Sequence, residues 1–233
     1  MTANWDRARA VADAVLYEGY LLYPYRANSS KNQARWQFGV LGPPGAADAG
    51  IGEDESLSGQ MLVAPRGRPA LSVLVRFLQL QHRGVEKVTD DGRFEPIDEL
   101  TTASQSWLRW DEAVEREISF GPFDIESSVR QTLPIEVRSG TDIETVDGGR
   151  LVRTRRALHA ELEVTAERDD DFVRVTMAVR NTATPVDDKD DAIAVSFIGT
   201  HLVAEIVGNG CPGGAERHLE FDFLFHGVGR LRQ

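Results

Sequence analysis

The chain of 233 residues is long enough for one large domain or two small ones, and with 41% hydrophobic and 27% charged residues it has an ordinary globular composition. Its formal net charge of −11 argues against a protein whose main task is to hold nucleic acid or an anionic membrane, because both partners require a basic face. We therefore expect no nucleic-acid partner and no membrane partner.

A single cysteine, Cys211, excludes an intrachain disulfide framework and a structural zinc site built from several thiolates. The first residues, Met1 to Arg7, place an acid where a secretory signal needs a basic start, and no apolar segment follows them. The most apolar stretch, residues 192–207, is too short and too polar to span a bilayer. These features predict a cytoplasmic protein.

The first predicted element is an amphipathic helix that Asn4 caps and Gly19 ends. Its apolar residues recur at spacings of three, four and seven: Trp5, Ala8, Ala12, Val15 and Leu16. Two strands, at 20–25 and 34–41, are predicted to follow on either side of a polar turn. Residues 42–59 are rich in glycine, proline, alanine and acids, which predicts a mobile surface loop.

Strand patterns return at 60–64 and at 71–82. The second of these runs is apolar on both faces, which predicts a central position in a sheet. Residues 107–120 fit both a strand and a helical stripe. A strand is favoured there, because Trp, Val, Ile and Phe suit a pleated surface and Gly121-Pro122 follows.

The clearest element is an antiparallel hairpin with one wet face, formed by residues 158–165 and 173–179 around an acidic turn. An exposed loop at 187–191 and a last strand at 194–207 complete the prediction. The fold class is therefore mainly β, an antiparallel β-sandwich or open barrel with one N-terminal α-helix. We expect a single domain over 1–207, leave open a sub-boundary near 140–150, and expect an irregular tail over 208–233.

The sequence holds no complete catalytic or cofactor motif. The glycine-rich run 208–213 matches the spacing of a dinucleotide site, but a proline and two further glycines interrupt the helix that such a site needs, so no cofactor is predicted. One alternative is a carboxylate-lined cleft of a ligand-binding protein or hydrolase, formed by Asp111, Glu115 and His201. A solvated strand face explains the same acids. Metal binding by His201 with Cys211 stays open.

Polar and aromatic side chains crowd the predicted first hairpin. They are Tyr23, Tyr25, Arg26, Lys31, Asn32, Arg35 and Trp36. Aromatic faces beside guanidinium groups make good contact surfaces for a protein partner or an anionic ligand. A buried set of aromatics with a basic rim explains them equally well, and both interpretations stay open.

The stretch DAVLYEGY at 13–20, continued by LYPYR at 22–26, KNQ at 31–33 and RWQFG at 35–39, resembles the opening of an uncharacterised, mainly actinobacterial protein family. Genes of that family lie in clusters for nickel-iron hydrogenases and their maturation factors. The segments WDEAVERE at 110–117 and SFIGTH at 196–201 are similar to later landmarks of the family. The resemblance covers residues 11–207, and the residues from Cys211 onward depart from the family.

The resemblance implies a non-enzymatic accessory protein that binds a hydrogenase subunit or a maturation factor, and it supplies no catalytic residues. Uneven charge agrees with a protein partner: residues 86–126 carry twelve acids against four bases, whereas Arg150, Arg153, Arg155 and Arg156 form a basic run. Two separate patches of opposite sign favour selective docking. We therefore expect an electrostatically two-sided protein.

Overall fold

The protein folds into two antiparallel sheets packed face to face, which confirms the predicted mainly β class and makes it a sandwich and not a closed barrel. The computed structural model describes residues 10, 13, 39–64, 68–103, 105–126 and 128–209. Ala10 and Asp13 are helical, in the segment for which a helix is predicted. The other residues of that segment and the predicted strand at 20–25 lie outside the described residues.

Two short helices and twelve strands lie within residues 39–209 of the described chain. The helices are α1 (Ala46–Ala49) and α2 (Lys189–Ala194). The strands are β1 (Ser56–Val63), β2 (Arg68–Val88), β3 (Phe94–Ile97), β4 (Glu99–Thr101), β5 (Ser106–Leu108), β6 (Trp110–Asp124), β7 (Val129–Val137), β8 (Gly140–Val146), β9 (Gly149–Arg155), β10 (Leu158–Asp169), β11 (Phe172–Asn181) and β12 (Ile198–Asn209).

Sheet one has the strand order β1-β11-β10-β7. Its centre is the predicted hairpin, in which β10 and β11 pair from Ala160 opposite Asn181 to Asp169 opposite Phe172. Strict alternation along β10 buries every second side chain, from Leu158 to Ala166, and leaves its acids outside. The hairpin prediction is confirmed. Alternation of apolar and polar residues with one solvent-exposed face is recognisable from the local sequence.

Sheet two is organised by β2, which runs the length of the sheet and pairs with four other strands. On one side, β2 pairs first with β6 and further along with β3. On the other side, β2 pairs first with β12 and further along with β9. Strand β9 in turn pairs with β8. The part built on residues 82–88 of β2 together with β3, β8 and β9 is called the distal arm below. Its inner side packs on the β4–β5 hairpin through a small apolar cluster of Val85, Leu100 and Leu151.

The main core lies between the two sheets, and β2 is apolar on both faces, as predicted. Leu71, Val75 and Phe77 face sheet one, and the ring of Phe77 meets that of Phe197 edge-on with centroids 4.7 Å apart. On the outer face, Leu78 and Leu80 pack in a second cluster with Val40 and Ile198, against which part of α2 lies. Residues 107–120 are also extended as predicted, as the strands β5 and β6.

Two predicted loops are wrong in detail. Residues 42–59 contain α1 and the first part of β1, and Ala46 is buried instead of solvated. In the acidic run 187–191, Asp188 accepts a hydrogen bond from the backbone N–H of Asp191 and caps α2, which delays the last strand to Ile198. The same bond lowers the pKa of Asp188 below its ordinary value. Neither helix is recognisable from the amino-acid pattern, because each is shorter than two turns.

Replacing Gly149 by alanine is expected to destabilise the fold by about 1–3 kcal/mol. A Cβ atom at Gly149 would lie 2.0 Å from the carbonyl oxygen of Glu86 on β2, so one of the two paired strands has to move. Gly84 on β2 is the matched control, since a Cβ atom there would come no closer than 3.6 Å to the carbonyl oxygen of Val152. Urea unfolding of both variants measures the difference, and equal midpoints would contradict it.

Candidate functional site

The predicted partner-binding residues Tyr23, Tyr25, Arg26, Lys31, Asn32, Arg35 and Trp36 lie outside the described residues, as do Cys211 and the tail from 210. Their assignment stays a prediction. The site has to be sought among the described strands, where three features stand out: a buried arginine, the outer face of the distal arm, and a cleft where the chain crosses between the sheets.

The residues of the alternative cleft, Asp111, Glu115 and His201, all lie on the outer face of sheet two. Glu115 contacts Arg76, and His201 is the cross-strand neighbour of Arg76. Asp111 lies four residues from Glu115 along β6, a distance of roughly 13 Å, and contacts Nδ1 of His82 at 2.8 Å. The structure therefore brings Glu115 and His201 together around an arginine and places Asp111 with a different histidine.

Arg76 is the centre of this outer face, and its side chain is fully buried. Its Nη2 donates to Asp13 at 2.5 Å and to Glu115, and its Nε lies 2.7 Å from Glu117. Burial acts to lower the pKa of Arg76, but the bonds to Glu115 and Asp13 and the nearby charge of Glu117 outweigh it and raise the pKa. Arg76 is therefore a permanent cation whose carboxylate partners are occupied in holding it.

His201 is also completely buried on this face. Its Nδ1 donates to the carbonyl oxygen of Gly199 at 2.9 Å, because a carbonyl group only accepts. A hydrogen bond that fixes the ring within its own strand suits a structural histidine. The neighbourhood of Arg76 and His201 is thus an ion cluster on the outer face of sheet two, with a buried arginine and partly exposed carboxylates.

The basic run and the acidic region 86–126 meet in the fold, because two arginines of the run contact acids of that region. Arg150 pairs with Glu86 across β2 and β9, and Arg153 contacts both Glu112 at 3.0 Å and Glu144 at 2.7 Å. Hydrogen bonds to Glu144 raise the pKa of Arg153, with the charge of Glu112 acting in the same direction. Two of the twelve acids between residues 86 and 126 are therefore paired with arginines of the basic run.

The outer face of the distal arm is exposed and partly apolar. Ile143, Val88 and Phe94 are 58%, 40% and 40% exposed, respectively. Val88 and Phe94 pair across β2 and β3, while Ile143 shares a cross-strand row with Val152 and Gly84. Gly84 stands at the end of this row and adds no side chain beside Val152. Large exposed apolar side chains gathered on one sheet face are typical of an interaction surface.

A fixed arginine completes this face. The Nε of Arg150 donates to Glu86, and its guanidinium carbon lies 4.0 Å from the ring centroid of Phe94. A cation stacked on an aromatic ring and tied to a carboxylate loses little further freedom when a partner binds. Arginine and aromatic residues are also the types enriched at the energetic centres of interfaces.

A cleft of about 330 Å³ opens where the chain passes between the sheets. The chain crosses from sheet one to sheet two at Arg138 and returns at Arg156. The buried Gln79 ties both crossings to β2, since its Nε2 donates to the carbonyl oxygens of Arg156 at 2.7 Å and Arg138 at 3.3 Å. The lining residues are Arg116, Glu117, Ile118, Glu136, Val137, Arg138, Ser139 and Arg155. This space is called the crossover cleft below.

The described residues contain no group of three or more histidine, cysteine, aspartate or glutamate side chains arranged to hold a metal ion. No helix in this part of the chain is long and apolar enough to cross a membrane. Comparison with known protein families, with curated proteins and with solved structures finds no match to this chain. The class of protein is therefore defined by its fold alone, a mainly antiparallel β-sandwich.

Proposed function

We propose that this protein is a cytoplasmic, non-enzymatic accessory protein that docks a protein partner on the outer face of its distal arm. The single observation that supports docking there is the combination of three exposed apolar side chains with a stacked arginine on one flat sheet face. The partner we propose is a nickel-iron hydrogenase subunit or one of the maturation factors, and its only support is the sequence resemblance.

The composition of the face favours a protein over a small ligand as the occupant. A flat sheet surface encloses no volume, so a small molecule would keep most of its area in water. A second protein surface can cover Ile143, Val88 and Phe94 together, and Gly84 adds no side chain that would hold the partner away. The salt-bridged Arg150 would then stand at the edge of the contact as a preformed hydrogen-bond donor.

Substituting Gly84 by arginine, or Ile143 by aspartate, is expected to reduce recovery of the partner by about tenfold or more. A Cβ atom at Gly84 would meet the carbonyl oxygen of Val152 at 3.6 Å, an ordinary van der Waals distance, so the fold should tolerate a side chain that starts there. The measurement is affinity capture of the full chain from hydrogen-metabolising cells, with the hydrogenase subunits and maturation factors identified by mass spectrometry.

Leu62→Asp and Phe172→Asp are matched controls for this experiment, because both residues are exposed apolar side chains on strands of sheet one. They should leave capture unchanged. Recovery of no hydrogenase protein by the wild-type chain would reject the proposed partner. Capture that survives Gly84→Arg but is lost when Arg26, Arg35 and Trp36 are changed to alanine would move the docking surface to the predicted first hairpin.

A further inference from the structure

We propose that the crossover cleft binds a small monocarboxylate that carries a hydrogen-bond donor next to its carboxylate, as hydroxy acids and amino acids do. This site lies between the two sheets, whereas the proposed docking face is on the outer side of the distal arm. The inference therefore does not depend on the proposed function.

Arg116 is the preformed anchor of the cleft. Its Nε and Nη2 donate to Oε1 of Gln79 at 3.0 and 2.9 Å, which fixes the plane of the guanidinium group. Gln79 is itself fully buried and held by two backbone carbonyl groups. The Nη1 group and the second N–H of Nη2 have no acceptor among the described residues. A planar fork with free donors on one edge matches the two oxygens of a carboxylate.

Arg138 brings a second uncommitted cation to the cleft. Its side chain is exposed and makes no ion pair or hydrogen bond with any residue that the structure describes. Arg155, by contrast, already pairs with Asp142 at 2.6 Å and donates to Gln81. Two arginines are thus available to bind a ligand, whereas Arg155 is already paired with an aspartate.

The balance of charge selects the kind of anion. Arg155 is paired with Asp142 and Glu117 with Arg76, so the remaining charges of the lining are those of Arg116, Arg138 and Glu136, which sum to one positive charge. A monoanion neutralises that charge, whereas a phosphate dianion would exceed it and also meet the repulsion of Glu136. Glu136 has no hydrogen bond or ion pair with the described residues, so its carboxylate is free to accept from a hydroxyl or ammonium group of the ligand.

The size of the cleft limits the ligand. About 330 Å³ lies at the lower end of ligand cavities and fits a molecule of few heavy atoms. Ile118 and Val137 supply an apolar part of the lining, against which a short aliphatic portion can pack. The same chemistry is presented by a free hydroxy or amino acid and by the last residue of a polypeptide, whose N–H lies beside the terminal carboxylate.

Isothermal titration calorimetry of the full chain tests the site with L-lactate, L-alanine, lactamide and inorganic phosphate as probes. We expect saturable binding of lactate or alanine, and affinities about tenfold lower or worse for lactamide and phosphate. Acetyl-dialanine with a free carboxyl end distinguishes the source: tighter binding of this peptide assigns the site to a chain terminus, and tighter binding of lactate or alanine assigns it to a free acid.

Arg138→Gln is the decisive variant, because an exposed side chain without partners can be changed without disturbing the fold. It should weaken carboxylate binding by about tenfold, and Arg116→Lys should do the same. Arg130→Gln, on the same strand β7 but paired with Glu163, is the matched control and should bind as the wild type does. The proposal is overturned if no carboxylate binds saturably, if phosphate binds as tightly as the best carboxylate, or if Arg138→Gln binds unchanged.

Discussion

Replacing Arg76 by methionine is expected to lower the free energy of unfolding by about 3 kcal/mol or more. The substitution keeps the apolar stem of a fully buried side chain but removes the cation that contacts Asp13, Glu115 and Glu117. These three carboxylates would then repel one another at the surface of a packed face. Urea or thermal unfolding of the variant measures the loss.

Arg174→Met is the matched control for this prediction, because Arg174 forms an exposed ion pair with Asp169 on a strand of sheet one. Loss of this exposed ion pair should lower the free energy of unfolding by at most about 1 kcal/mol. Adding Glu115→Gln and Glu117→Gln to Arg76→Met should restore part of the stability, since the uncompensated charge is then removed. If Arg76→Met were no more harmful than Arg174→Met, the ion cluster would not be a stabilising centre of the sheet.

Replacing Asn181 by alanine is expected to cost about 2–4 kcal/mol, as a fully buried side chain that makes three hydrogen bonds is lost. Its Nδ2 donates to the carbonyl oxygens of Leu41 and Val195, both at 3.0 Å, and its Oδ1 accepts from the N–H of Ala183 at 2.9 Å. Leu41 in turn bridges to Phe197, which packs in the core. Asn181 therefore ties the end of sheet one to the segment that enters sheet two.

Asn181→Asp is expected to be more harmful than Asn181→Ala. The aspartate keeps the acceptor for Ala183 but turns a carboxylate oxygen toward two carbonyl oxygens in a buried site. Arg180→Ala, one residue earlier and on the exposed side, should cost at most about 1 kcal/mol through its pair with Glu55. The midpoint of urea unfolding at constant slope measures all three, and an alanine variant as stable as Arg180→Ala would contradict the role of Asn181.

Strand content and the central hairpin were predictable from sequence. Alternation in residues 158–165 and 173–179 identifies one buried and one wet face, and the apolar run 71–82 identifies a strand covered on both sides. The short helices α1 and α2 were not predictable from sequence, because a helix of four or six residues has too few periodic positions to be distinguished from a loop. Burial of Ala46 depends on the chain around it.

Little of the candidate sites could be read from the sequence. Arg76 stands as one charged residue inside an apolar run, and its acidic partners Glu115 and Asp13 are 39 and 63 positions away. The crossover cleft depends on Gln79, whose hydrogen bonds reach Arg138 and Arg156 at separations of 59 and 77 positions. Contacts at such distances leave no local periodicity. The predicted segment around Tyr23 to Trp36 lies outside the described residues and stays a prediction.

By itself, the sequence determined that this protein is a mainly β domain with a central strand and a clear hairpin, because side-chain alternation is imposed residue by residue along each strand. The tertiary structure alone decided where the charges go. The basic run near Arg150 and the acids between Glu86 and Glu126 appear as opposite patches in the sequence, yet β2, β6 and β9 carry them alongside one another. Strand register, which pairs residues far apart in the chain, placed Arg150 and Arg153 against Glu86 and Glu112. It also left Arg116 and Arg138 at the crossover cleft without carboxylate partners among the described residues.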